Sequence, residues 1–510
     1  MITAKEIGAC VGVSIDNRAP IQGLTLDSRS ADAVTGFVAV PGLSTDGRRF
    51  FSSALEKAAP VIVYEAKGIE TFYSPALLEV LKISHPRTNF LPVADLSKHL
   101  GALAKTIYPY SPGALTVAAV TGTNGKTTTS GWIAEACHRR QAPAGWSGTL
   151  GIGSVGALVE AGNTTPDLFT LHRWLFDLHH DRGRYAALEA SSHALSQGRL
   201  NGIPIHTAVW TQLSHDHLDY HGTMSAYAME KKKLLQWSDL RYCVLNLGDQ
   251  VARSVYLNGE YAGQALTYLL GSPDEAPPVS IEHVDFYVSA WRCLPEGLEV
   301  MLRSAEGEWM WHLPCWGVHN VQNALAALAT LVSFGWTVRA ATEALADTPL
   351  PPGRLERFTV PGFPDVIVDY AHTPDALQHV IQAVRAHCHG KVWVVFGCGG
   401  DRDNTKRPVM GAVAERLADH VILTDDNPRT EASEQILCDI QAGMVDRSAL
   451  FLVQAQRRAA ISAAVQAAGS TDVVIVAGKG HENYQEIGQE RLPYSDRDTV
   501  QRLLVLVDAR

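Results

Sequence analysis

Between Thr121 and Thr128 the chain reads Thr-Gly-Thr-Asn-Gly-Lys-Thr-Thr, two glycines followed by a lysine and hydroxyl side chains. Glycines let successive backbone N–H groups converge on an anion, Lys126 supplies positive charge, and Thr127 offers a hydroxyl to a divalent cation. That chemistry is phosphate binding, with Gly122, Thr123, Asn124, Gly125, Lys126, Thr127 and Thr128 as its residues. The full Walker spacing requires glycine at position 120, where Val120 stands, so the loop is a shortened variant. A plain glycine turn with an exposed lysine is the bland alternative. Downstream, Tyr185-Ala186-Ala187-Leu188 ends in Glu189, where nucleotide-binding folds hold a Mg2+ ligand. His215-Asp216-His217-Leu218-Asp219-Tyr220-His221 is the densest set of metal-capable side chains. It approaches the spacing of zinc hydrolases, but one extra residue separates Asp219 from His221 and no thiolate set accompanies it.

Such residues need elements to position them. The apolar run Leu115 to Val120 reads as a strand and the segment from Thr127 as a helix, so the phosphate loop lies between strand and helix. Gly151 to Gly156 matches GxGxxG, yet no apolar strand precedes it and no helical pattern follows; it reads as a glycine-rich turn. Asn320 to Val332 carries apolar residues at helical spacing, and Gly335 ends that helix. Further on, Val366–Val368, Val392–Phe396, Val421–Leu423 and Val473–Val476 are strand-like runs separated by helix-length segments. This alternation predicts a parallel sheet covered on both faces, with ligands beyond the carboxyl ends of its strands. Tyr108-Pro109-Tyr110-Ser111-Pro112-Gly113 and Thr348-Pro349-Leu350-Pro351-Pro352-Gly353 break the pattern. They divide the 510 residues into expected domains 1–112, 113–348 and 349–510.

Composition narrows the partners. With 46% hydrophobic and 19% charged residues the chain is globular, and 43 basic against 53 acidic side chains give no general attraction to nucleic acid or anionic membrane. An anionic ligand therefore needs a local site. Eight cysteines between Cys10 and Cys438 form no CxxC pair, which fits a reducing compartment. The opening MITAKEIGAC has no apolar core of signal-peptide length, and no apolar stretch of about 18 residues occurs, so a cytoplasmic location is expected.

Taken together, the GTNGKT loop at 122–127 and the DHLDYH segment at 216–221 resemble the Mur ligase family of ATP-dependent, amide-forming enzymes. Five further segments occur in the family's order: Asn163-Thr164-Thr165-Pro166, Ser191-Ser192-His193-Ala194-Leu195, Gly397-Cys398-Gly399-Gly400-Asp401-Arg402-Asp403, Asp426-Asn427-Pro428-Arg429 and Gly478-Lys479-Gly480-His481-Glu482. The match spans nearly the whole chain and points to members that add diaminopimelate. The resemblance implies an α/β fold of three domains: an N-terminal α/β UDP-binding domain, a central P-loop ATPase-like domain with a mostly parallel sheet, and a C-terminal Rossmann-like domain. It implies that Leu26, Ser28 and Leu43-Ser44-Thr45 hold the UDP end of the nucleotide substrate. Asn163, Thr164, Thr165, Ser191, Gln197 and Arg199 would contact its muramoyl dipeptide, and Asn323, Arg354 and Asp369 would join the ATP site, completed by domain closure. Arg402, Asp426, Asn427, Pro428, Arg429, Gly478 and Glu482 would form the diaminopimelate pocket.

The family also carries a carbamylated lysine four residues after the tyrosine of its HG-x-M-x-x-Y segment, which here places it at Lys231, beyond Tyr227. With His217 it would hold a second Mg2+. Lys231, Lys232 and Lys233 are consecutive, and adjacent helical positions differ by about 100°, so only one can face the site. Carbamylation needs a neutral amine, which burial and nearby cations favour.

The implied reaction joins meso-diaminopimelate to UDP-N-acetylmuramoyl-L-alanyl-D-glutamate for peptidoglycan synthesis. The D-glutamate side-chain carboxylate would take the ATP γ-phosphoryl group, and the diamino acid's amine would displace phosphate. Lys126, Lys231 and His217 would serve the chemical step. Arg429 would select the second carboxylate of diaminopimelate over lysine by two-point binding. A monomer acting on small molecules is expected. The competitors are a lysine-adding, other Mur-type or folylpolyglutamate-type ligase, a zinc hydrolase, and a nucleotide-switched binding protein.

Overall fold

The structure, a computed structural model, describes residues 2–42, 45–111, 113–140, 143–272 and 276–508. Its backbone separates into two compact units, one of Met1–Leu245 with Asp249–Leu266 and the other of Asn246–Gly248 with Thr267–Arg510.

The first unit opens with a parallel sheet in sequential order: β1 (Gly23–Thr25), β2 (Thr35–Ala39), β3 (Val61–Glu65) and β4 (Asn89–Val93). Every residue of β3 is buried, because its β-branched side chains pack on both faces. Phe51, Tyr64 and Tyr73 lie on one side, and Ile7, Val63 and Leu103 on the other.

A second sheet contains β5 (Thr116–Thr121), β6 (Ala144–Gly148), β7 (Gly151–Ser154), β8 (Ala157–Val159), β9 (Tyr185–Glu189), β10 (Thr207–Trp210) and β11 (Tyr242–Asn246). Their spatial order is β8-β7-β6-β9-β5-β10-β11, with β6, β9, β5, β10 and β11 parallel. Leu188 pairs with Ala119 and Glu189 with Val120, so β9 and β5 end side by side. Helix Lys126–Arg140 follows β5 directly and is buried along most of its length. The Gly151–Gly156 segment corrects the expectation of a turn, since it forms β7 and the turn of an antiparallel hairpin behind strand β6. Gly151 and Gly153 sit at φ +128° and +155°, where side chains would strike the carbonyls of Val159 and Ala157. The glycines thus serve close strand approach, a signal that periodicity cannot separate from a turn.

In the second unit, β12 (Gln264–Leu270) pairs in parallel with β13 (Phe286–Leu294), which continues as an antiparallel meander through β14 (Gly297–Ser304) and β15 (Gly307–Leu313). Helix His319–Ser333 follows and ends before Gly335, whose φ of +91° suits glycine. The chain then forms β16 (Glu356–Phe358), β17 (Asp365–Asp369), β18 (Val392–Phe396), β19 (His420–Leu423), β20 (Leu450–Val453) and β21 (Val473–Ala477). Their order is β16-β17-β21-β18-β19-β20, parallel except for β16. The four runs read from sequence are its central strands; edge strands β16 and β20 are short and half-exposed, and the apolar run Leu450–Val453 of β20 was passed over. A hairpin of β22 (Tyr484–Ile487) and β23 (Glu490–Pro493) follows. No helix among the described residues is long and apolar enough to cross a membrane.

Candidate functional site

At the end of β5 the backbone turns through Gly122, at φ +144°, and Gly125, at φ +84°. A Cβ on Gly122 would overlap Thr211 Oγ1, which donates to Asn124 O at 2.6 Å and Thr121 O at 3.1 Å. Thr123 locks the other side: its N–H donates to Gln212 O at 2.7 Å, and its hydroxyl accepts from Ser214 N at 3.0 Å. Lys126 Nζ folds back to donate to Gly122 O at 3.0 Å and Thr123 O at 2.7 Å. Lys231 Nζ, from helix Met224–Leu235, donates to the same Gly122 O at 2.7 Å. Two lysine Nζ atoms therefore share one carbonyl oxygen, and the Lys126 ammonium puts positive charge at the loop, where it suits a polyphosphate.

Lys231 is only 1% exposed and lies over the Tyr227 ring at 4.7 Å. Burial first, then the nearby charge of Lys126, pushes its pKa well below the usual lysine value. Its neighbours point elsewhere, Lys232 pairing with Glu260 and Lys233 with Glu230.

Glu189, buried at the end of β9, accepts from Thr149 N at 2.8 Å through Oε1. The Thr149 hydroxyl lies 3.4 Å from Glu189 Oε2, 3.5 Å from Thr127 Oγ1 and 3.4 Å from Thr164 Oγ1. Thr149 thus joins three sequence-derived candidates, although sequence reasoning missed it. Its signal was its place just beyond β6, the position that also exposed Glu189. A hydroxyl and a carboxylate here suit a hard divalent cation, which prefers oxygen donors. Among the described residues, no group of three or more His, Cys, Asp or Glu side chains could hold a metal.

Several substrate candidates gather beside Glu189. Thr165 Oγ1 donates to Glu189 O at 2.7 Å and lies 3.2 Å from Ser191 Oγ, while Arg199 Nη1 donates to Thr165 O at 2.6 Å. Arg199 Nη2 also donates to Gln197 Oε1 at 2.6 Å. Asn163 and Thr164 lie on the preceding loop, Asn163 exposed. His217, at φ +52°, caps the turn Leu218–His221 and packs edge-on against His193 at 5.0 Å and Tyr227 at 6.0 Å. Ser28 is buried in a turn that Asp27 caps, Leu26 is half-buried and Thr45 is exposed. No hydrogen bond among the described residues joins Leu26 or Ser28 to the Thr165 group. Leu43 and Ser44 lie outside the described residues. A cavity of about 690 Å³ in this unit is acid-rich and lined by Asp27, Asp32, Asp167, Arg173, Asp177 and Asp181 among others, not by the phosphate loop.

In the second unit, Asn323 is buried and donates to Asn320 Oδ1 at 2.9 Å. Asp369, at the end of β17, accepts from Leu355 N at 2.7 Å and Ala371 N at 2.8 Å. Burial raises its carboxyl pKa, against the opposing charge of Arg354. Arg354 stacks over Tyr370 at 5.1 Å, and its Nε is buried without a partner.

Beyond β19 and β21 the other candidates converge. Asn427 Nδ2 donates to Glu482 Oε2 at 3.1 Å, and a Cβ on Gly478 would overlap Asp426 Oδ2. Asp426 is buried, which raises its carboxyl pKa. Pro428 O closes on Gly400, whose added Cβ would strike it. Arg429, at φ +52°, donates through Nη1 to Gly400 O at 2.9 Å and pairs through Nε with Glu486 at 2.7 Å. Exposed Arg402 flanks the same loop, its Cγ 3.7 Å from an added Cβ on Gly399 and Arg429 Nη1 3.0 Å from it. Hairpin β22–β23 braces the loop: Gln485 Nε2 donates to Asp426 O at 2.7 Å and Glu486 N to Asn427 Oδ1 at 3.0 Å. Sequence reasoning quoted Lys479 within the Gly478–Glu482 segment without giving it a role, and it missed Gln485 and Glu486, whose spacing carries no motif of its own.

Parallel sheets with ligand-ready loops at their carboxyl ends, one a shortened phosphate loop, define a nucleotide-dependent ligase architecture of three domains. Family models match in order: "Mur ligase family, catalytic domain" over residues 20–108, "Mur ligase middle domain" over 120–331 and "Mur ligase, glutamate ligase domain" over 353–480. The chain is 41% identical over 487 residues to UDP-N-acetylmuramoyl-L-alanyl-D-glutamate--2,6-diaminopimelate ligase of Alkalilimnicola ehrlichii, covering 95% of each. It is 40% identical over 484 residues to the protein of that name from Pseudomonas aeruginosa, again covering 95% of each. A solved structure of a ligase with the same name superposes with a TM-score of 0.71 at 33% identity, covering 100% of both chains. Mycobacterium tuberculosis folylpolyglutamate synthase complexed with ADP shares the fold, with a TM-score of 0.56 at 19% identity over 79% of this chain and 95% of that one. The chain belongs to the Mur ligase family. Membership displaces the zinc-hydrolase reading of the histidine cluster.

Proposed function

We propose that this enzyme uses ATP to join meso-diaminopimelate to the D-glutamate side-chain carboxylate of UDP-N-acetylmuramoyl-L-alanyl-D-glutamate. The observation that carries the reading is the second-unit pocket, where Arg429 and Arg402 flank the loop that presents Asp426 and Asn427 beside Glu482. Guanidinium groups suit the distal carboxylate of diaminopimelate and carboxylates suit its distal ammonium, whereas lysine has no distal carboxylate to offer their remaining N–H donors. The 41% identity to a ligase named for this substrate pair supports the same reading.

Residue roles follow from the chemistry. Backbone N–H groups of residues 122–128 and Lys126 bind the triphosphate and draw charge from the phosphoryl group in transfer. Asn323, Arg354 and Asp369 take the rest of ATP. Thr127 and Glu189 would offer oxygens to Mg2+, and a ring nitrogen of His217 with the carbamate of a modified Lys231 would hold a second ion; Mg2+ when bound would supply charge neutralisation between carboxylate and triphosphate. Lys231 suits carbamylation because burial favours the neutral amine that attacks carbon dioxide. Thr165, Ser191, Gln197 and Arg199 orient the dipeptide, with Asn163 and Thr164, while Leu26, Ser28 and Leu43-Ser44-Thr45 take the UDP end. The acceptor carboxylate takes the γ-phosphoryl group, ADP leaves, the amine attacks the acyl carbon and phosphate departs. We place the domain boundaries at 112 and 348 and read the enzyme as a cytoplasmic monomer; gel filtration with light scattering tests the last point.

The deciding experiment measures phosphate release with ATP, UDP-muramoyl dipeptide and either meso-diaminopimelate or lysine. Release that requires meso-diaminopimelate is expected. Release indifferent to the amino acid overturns the ligase reading, and equal use of lysine overturns the specificity alone.

A further inference from the structure

Lys479 is fully buried between Gly478, at φ +115°, and Gly480, at φ +52°. Its ammonium donates to Asn427 Oδ1 at 2.9 Å and Glu482 Oε2 at 2.8 Å, and lies 5.4 Å from the Tyr484 ring centroid. An ammonium has three N–H donors, so two acceptors and one aromatic face account for all of them. Lys479 therefore has no direction left for a ligand. A buried cation is costly unless paired, and two groups of the amino-acid pocket pair it. Glu482 Oε2 accepts from both Lys479 and Asn427, while no hydrogen bond reaches Oε1 among the described residues. The Glu482 side chain is 15% exposed, so this carboxylate still meets solvent.

We propose that Lys479 is a positioning residue for the amino-acid substrate: by holding Glu482 Oε2 and Asn427 Oδ1, it presents Glu482 Oε1 to the distal ammonium of the diamino acid. This rests on the function proposed above. Lys479 also balances Glu482 against nearby Asp426, whose charge repels it. Tyr484 lies against the ammonium, Tyr370 beside Glu482, and Arg457, paired with Asp496, beyond Asp426. Without Lys479 the two carboxylates face each other with less compensation.

The test is steady-state kinetics of full-length Lys479→Met against wild type, varying meso-diaminopimelate and ATP in turn. The variant should raise the KM for meso-diaminopimelate roughly 10²-fold, the scale of a misplaced orienting group, and leave the KM for ATP within about twofold. Combined with Glu482→Gln, it should add little to the single Glu482→Gln loss, because both act through one oxygen pair. An unchanged KM for meso-diaminopimelate or a parallel rise for ATP overturns the proposal. Lys479→Gln keeps a donor and serves if the methionine variant does not fold; failure of both to fold also overturns it, since the lysine would then be a folding requirement. Wild-type phosphate release without dependence on meso-diaminopimelate overturns the enzymatic reading too, whereas normal wild-type dependence with an indifferent variant overturns Lys479 alone.

Discussion

At Lys231 a single proton connects stability to chemistry. The folded pKa lies well below 10.5, so between that lowered value and 10.5 the unfolded chain binds a proton that the folded chain has released. Unfolding free energy must therefore rise with pH across that window and be flat in this respect below it. Lys231→Met should remove the slope and, at neutral pH, stabilise the fold by roughly 1–4 kcal/mol while abolishing ligation. Urea denaturation in carbon-dioxide-free buffer at several pH values checks both. Arg429 gives the matching prediction for specificity: Arg429→Ala should lower kcat/KM for meso-diaminopimelate by about 10²-fold or more, with ATP binding unchanged, and calorimetric titration separates the two. Spacing from Tyr227 pointed to Lys231, but its burial against Gly122 O comes from helix packing. Gln485 and Glu486 had no comparable cue, because an isolated polar residue acquires its role only from what it faces.

The phosphate loop is the element whose sequence says most. Its glycines are required by backbone geometry, and Gly122→Ala would force Cβ into Thr211 Oγ1 at a φ that side chains avoid. That substitution should cost about 1–3 kcal/mol of stability and weaken nucleotide binding at least tenfold, measured by thermal unfolding and ATP titration. Strands β5, β9, β17, β18, β19 and β21 were legible as buried apolar runs, since strands covered on both faces need apolar residues throughout. Hairpin β22–β23 was not, because its residues are half-exposed and its role is to pair with the Arg429 loop. The glycines of β7 misled for a related reason: strand proximity and tight turning both demand glycine.

For the molecule as a whole, ligation should depend on an oxygen-bound divalent ion. EDTA should abolish phosphate release, Mg2+ should restore it, and metal analysis of the purified protein should find no stoichiometric zinc. A nonhydrolysable ATP analogue at about 100 times its Kd should add about 2.7 kcal/mol to the unfolding free energy of the unit it binds, read by calorimetry. The amino-acid sequence alone determined the alternation of strand and helix, the phosphate loop and the family, because these rest on local periodicity, backbone requirements and ordered motifs. Tertiary structure decided which of three adjacent lysines is buried, which oxygen of Glu482 is held, and how Glu486 braces Arg429. Those outcomes depend on side chains that are distant in sequence or face different ways on one helix, and neither composition nor spacing encodes the distances between them.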